Sequence, residues 1–212
     1  MVKKTPLSKH GQHVVLYLDS LLNLNAWIDK AYKLLEASKI LEPQLRDYWN
    51  ITITNFKEGR YSEGGEPPHS LPSDLHGPYF ILISYALENL FKALIIQGRK
   101  DEICGRLLEN GELHPIINNH DLLKLAKNAH LNMNITEEDL LIRLYRQSKW
   151  KGRYPVPVSL SGMRNIQEYS DGKYYFTDYF RPDDISRLDA LVQRVIGHVK
   201  SVLNPPNSTT PQ

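Results

Sequence analysis

The stretch that most constrains this chain is residues 79–98, YFILISYALENLFKALIIQG. Its apolar positions run around the whole circumference of a helix, and a helix that is apolar on every side is buried. At ~1.5 Å per residue such a helix spans ~30 Å, about the diameter of a small domain. Ser84, Glu88 and Lys92 interrupt it at i, i+4 and i+8, so they form one stripe, with glutamate before lysine, the better order for a pair. A membrane span is the rival reading of a run this long. Glu88, Asn89 and Lys92 near its middle make that reading costly. The run therefore predicts the central helix of a soluble bundle with one polar seam.

The rest of the chain fits an all-α domain. Trp27, Ile28, Ala31, Leu34, Leu35 and Ser38 recur at helical spacing, with Asn25 as a cap and with Pro43 either kinking that helix or opening a second one. The segment before it, 14–24, is apolar but too short to classify by period, and residues 1–13 read as loose. Residues 52–78 hold four prolines and four glycines, a density that predicts a long loop. Further helices are expected over 120–130, capped by Asn118 or Asn119, and from Thr136, in a weak capping box with Asp139, to a stop at Gly152. A short helix fits within 99–111, and the Asp171-Gly172 turn allows one short β-hairpin. A last helix opens at Pro182 with Asp183 and Asp184, its core stripe being Ile185, Leu188, Val192, Val195, Val199 and Val202. The expectation is an up-and-down bundle of four to six helices in one domain over 1–204, followed by a disordered tail over 205–212.

Charge and cysteine content narrow the function classes. A formal net charge of +2 over 212 residues does not announce nucleic-acid binding, though it leaves room for a local basic patch. The single cysteine, Cys104, leaves no internal disulfide framework and no cysteine-based zinc site. The basic N-terminus MVKKTPLSKHGQH lacks the apolar core of a secretory signal, so a cytoplasmic chain is expected. The eight histidines are scattered without metal-ligand spacing, and GxGxxG, P-loop and GxSxG motifs do not occur. No cofactor and no metal are expected.

Four constellations can carry chemistry. Glu88 and Lys92 either fix helix register as a buried pair or face a cleft where burial tunes their protonation. In Lys149-Trp150-Lys151-Gly152-Arg153-Tyr154-Pro155-Val156-Pro157, cations interleave with aromatics, a pattern that grips phosphate and stacks on a base. Arg153 has the planar fork that binds phosphate through two bonds, and Trp150, Lys151 and Tyr154 are the candidate substrate contacts. The alternative is an ordinary helix end with cations against the dipole. Arg187, Arg194 and His198 share a flank of the last helix, where a histidine beside fixed cations suits acid–base cleavage of RNA, or where the flank is simply solvated. His120, with Asp121, stands at a helix start and is a further acid–base candidate.

The order YFILISYALENLFKALIIQGR, then HDLLKLAK, then an amphipathic helix running into WKGRYPVP resembles bacterial proteins of the HEPN superfamily, and more narrowly an uncharacterised HEPN-like group with an ALENLFKAL-type helix and a GRYPVP motif. The resemblance covers residues 76–203. It implies an all-α bundle, often a homodimer. Many members are metal-independent endoribonucleases of toxin–antitoxin and phage-defence systems, and others are inactive RNA-binding or interaction modules. The family signature, Arg-x4-6-His, is not present in that form; the nearest match is Arg194-Val-Ile-Gly-His198, with three residues between. A divergent site would combine Arg153 and Tyr154 with Glu88, Lys92 and His120. The leading expectation is thus an RNA-recognising protein that cleaves without metal, with a cognate antitoxin or other protein as partner. The alternative is a silent immunity or regulatory module that binds another protein.

Overall fold

The computed structural model describes residues 9–151, 166–168, 174–176 and 180–203. In chain order the helices are α1 Lys9–Leu22, α2 Leu24–Lys57, α3 His76–Gly98, α4 Lys100–Asn110, α5 Leu122–Asn128, α6 Ile135–Arg146 and α7 Asp184–Leu203. A π-helical turn, Gln147–Lys151, extends α6. Two short strands, β1 Ile166–Glu168 and β2 Tyr174–Phe176, pair antiparallel with Ile166 opposite Phe176. The architecture is an all-α bundle carrying one small hairpin. The described residues hold seven α-helices rather than four to six, because α1 begins at Lys9 inside the stretch expected to be loose and continues through the unclassified apolar segment.

At the centre lies α3, the helix set by the apolar run. Phe80, Leu87, Leu90, Phe91 and Ile95 are fully buried, each side chain contributing about 1.5–3 kcal/mol when taken from water. By length and apolarity α3 could cross a membrane, yet 78% of its most apolar stretch is buried among the other helices. Along one side it packs on α2, whose Ala31, Leu35 and Leu45 point inward. Its other sides meet α5, α6, the π turn and α7. The core stripe of α7 is Ile185, Leu188, Leu191, Val192, Val195, Ile196 and Val199; Val202, expected in that stripe, is exposed near the helix end.

Of the two expectations for Pro43, a second helix start is not found, since α2 runs through it for 34 residues. Pro43 and Lys39, the residue four earlier whose carbonyl it cannot bond, are both exposed. The following loop is correspondingly shorter than expected: α2 extends to Lys57, and Pro78 falls in the first turn of α3, where proline is tolerated. Buried Asn55 pins this loop, its amide donating to the His69 carbonyl at 3.1 Å while its oxygen accepts from the His69 N–H at 2.8 Å.

Three caps lie close to, but not on, the expected residues. Asn23, not Asn25, caps α2 by accepting from the Ala26 N–H. Asp121 caps α5 through the Lys124 N–H, so the helix is Leu122–Asn128 and His120 stands outside it. Asn134 and Glu137 form a reciprocal capping box on α6, displacing the Thr136–Asp139 version. In each case several cap-competent side chains follow one another, and packing of the helix decides which is used.

Candidate functional site

The polar stripe of α3 is buried. Ser84 is fully enclosed, and the side chains of Glu88 and Lys92 are 11% and 7% exposed. Lys92 Nζ donates to Glu88 Oε1 at 2.7 Å, one turn away. The same oxygen is met by His120 Nδ1 at 2.9 Å, although 32 residues separate the two in sequence. His120 reaches it from the turn that precedes the Asp121 cap, and its side chain stays 65% exposed. A buried charged seam thus ends in a histidine that faces solvent.

That histidine lines a cleft of about 280 Å³, shared with Tyr85, Glu88, Tyr145, Ser148 and Lys149. Tyr85 and Glu88 lie one turn apart on α3, while Tyr145 closes α6 and Ser148 and Lys149 lie on the π turn. An i→i+5 turn is wider than an α turn and shifts the residues that follow around the axis. Here it brings Ser148 and Lys149 to the cleft wall. Lys149 Nζ lies 5.4 Å from the centre of the Tyr145 ring, a cation–π distance.

The chemistry of this arrangement follows from donor and acceptor counting. An ionised carboxylate only accepts, so the His120 nitrogen facing Glu88 carries a proton. In a neutral imidazole the other nitrogen, Nε2, then holds the lone pair and can take a proton from a bound group. Ser148 is not set up as a nucleophile, because its hydroxyl donates to the Tyr145 carbonyl at 3.0 Å. A Ser–His–acid triad is therefore not assembled, whereas a carboxylate-held histidine is.

The other candidates fall in different places. Arg194 donates to Glu137 Oε1 from two nitrogens, at 2.7 and 3.0 Å, and approaches Met133 Sδ at 3.1 Å. Arg187 pairs with Asp183 at 2.6 Å and reaches Asp184 at 3.6 Å. His198 is partly buried on α7, and neither it nor Arg194 lines the cleft. Arg153 and Tyr154 lie outside the described residues, as do the side chains of Trp150 and Lys151 at the end of the π turn. Among the described residues no three His, Cys, Asp or Glu side chains gather as metal ligands. The sequence candidates brought together are thus Glu88, Lys92 and His120.

Three cleft residues, Tyr85, Tyr145 and Ser148, are absent from the candidates chosen by sequence, and Lys149 was named there only within a longer stretch. Lys149 opens the basic–aromatic stretch, and the spacing of Tyr145, Ser148 and Lys149 at i, i+3 and i+4 was the available signal. Comparison with family models, with curated proteins and with solved structures yields no match to this chain. The functional reading rests on the geometry above and on the sequence resemblance.

Proposed function

We propose that this chain is an HEPN-like, RNA-recognising protein of the cytoplasm that cleaves RNA through the cleft around His120. The observation that carries the reading is the 2.9 Å hydrogen bond from His120 to the buried Glu88 carboxylate at the wall of a cleft holding an exposed lysine and two tyrosines. In this reading His120 Nε2 removes the proton of a ribose 2′-hydroxyl, and the oxygen attacks the adjacent phosphorus. The bond to the 5′ oxygen breaks and that oxygen takes a proton from water, while His120 returns its own to solvent, leaving a 2′,3′-cyclic phosphate and a 5′-hydroxyl. Lys149 offsets the charge that builds on the phosphate, and Tyr85 and Tyr145 supply faces on which a base can stack. Such positioned proton transfer is worth about 10²–10⁴ in rate. The reaction so written needs no metal, in keeping with the family resemblance.

The test is incubation of mixed RNA with purified protein in EDTA, followed by analysis of the product ends. Cyclic phosphate and 5′-hydroxyl ends support the reading; intact RNA, or 3′-hydroxyl ends, would sink it.

A second reading is favoured by one observation on the opposite arm of the sequence. Val15, Leu16 and Tyr17 on α1 are 43–63% exposed, an apolar stretch of the kind that docks a protein. On that reading the chain is a binding module, and its cognate partner or a second copy covers α1.

A further inference from the structure

Lys92 belongs to the buried seam but does not line the cleft. Among the described hydrogen bonds it meets the site through Glu88 Oε1, the oxygen that His120 Nδ1 also contacts. A carboxylate this deeply enclosed is tolerated in its charged form when an opposite charge compensates it. Among the described hydrogen bonds of the Glu88 side chain, the partners are the Lys92 ammonium and the His120 ring, and only the first carries a permanent charge.

We infer that Lys92 is a positioning residue: it compensates and aims Glu88, and through that shared oxygen keeps the His120 ring neutral, with its proton on Nδ1 so that Nε2 presents its lone pair to the cleft. Without the ammonium, the Glu88 carboxylate draws its compensating charge from the His120 ring, the more basic of the two groups, which takes a proton from solvent on Nε2. Both ring nitrogens then carry protons, and the one open to the cleft no longer acts as a base. Lys92 therefore controls whether the ring facing the cleft is neutral. The inference rests on the acid–base reading of this cleft, but protonation state is read without RNA, so the two can fail separately.

The experiment is ¹⁵N spectroscopy of the histidine rings in the full-length protein at about pH 8, where an ordinary imidazole is neutral. The His120 signals are assigned by their loss in His120→Gln. Wild type is expected to show the Nδ1–H pattern. Lys92→Met should move it to the doubly protonated pattern, while Lys92→Arg, which keeps the charge, should retain Nδ1–H. If Lys92→Met lacks a melting transition, Lys92→Gln reads the same switch, since it keeps a donor to Oε1 without the charge. An Nε2–H pattern in wild type, or an unchanged Nδ1–H pattern in the folded uncharged variant, overturns the inference. Where RNA cleavage is observed, Lys92→Met should lower kcat at least about tenfold with KM unchanged, because Lys92 acts only on the base.

Discussion

Two buried charge clusters face different sides of the same core, and they differ in whether they close. Between α6 and α7, Arg143 meets Asp184 Oδ2 and Asp139 Oδ2, both at 2.5 Å, with side chains of Arg143 and Asp184 5% and 0% exposed. Asp184 also accepts from the Arg181 N–H at 2.7 Å, and the guanidinium lies 5.0 Å from the Phe180 ring, itself stacked on Phe80. Burial works against the Arg143 charge, and the two aspartates overcome it, so its guanidinium is held more firmly protonated than usual. Every charge in that cluster is matched within the protein. The Glu88–Lys92 pair is also buried, but its third member, His120, opens onto a cleft. A closed cluster fixes the packing of helices; an open one keeps a proton-transfer atom available. Burial of charge alone does not distinguish the two clusters; the unclosed end does.

The contrast can be broken most forcefully at the closed cluster. Asp184→Ala leaves Arg143 buried with part of its compensation gone and should cost about 3–5 kcal/mol in urea unfolding, with specific activity per folded molecule unchanged. At the open end, Lys149→Ala should weaken RNA binding about tenfold, flatten its salt dependence and leave the melting temperature nearly unmoved, as checked by titration at two salt concentrations. Arg194→Ala, which opens an ion pair to Glu137 at a half-exposed position, should cost under about 1 kcal/mol and spare RNA cleavage.

The smallest effect is at Asp189, whose carboxyl is raised above the usual carboxylate range by partial burial and by the neighbouring Glu42. A raised value means that the folded state holds the proton more tightly than the unfolded one. The stabilising contribution is full below the ordinary carboxylate value and is lost as pH rises through the raised one. Asp189→Asn should therefore stabilise the protein slightly at neutral pH, by about 0.5 kcal/mol or less at this half-exposed site, and flatten the dependence of stability on acid pH.

Much of this was legible in the residues themselves. The apolar run gave α3 and its polar stripe because i, i+4 spacing is a local property of the helix. The α7 stripe was read on the same grounds. Long-range geometry was not: nothing in the sequence places His120 against Glu88, since their meeting depends on how the turn before Asp121 packs on α3. Nor does the pattern around Tyr145 reveal the π turn, which changes the direction of Ser148 and Lys149 without changing composition. Pro43 left two outcomes open, a bend within one helix or a new start, and the uninterrupted α2 removes only the second. The caps missed by a few positions for the reason that Asn, Asp and Thr crowd those turns, and each could have served.

The most direct test of the account compares His120→Gln with His198→Gln, the two histidines proposed from sequence, in RNA cleavage by folded protein. The account predicts that His120→Gln loses at least about 10²-fold in rate while His198→Gln keeps wild-type activity. Loss in His198→Gln with activity retained in His120→Gln would contradict it and move the site to the flank of α7.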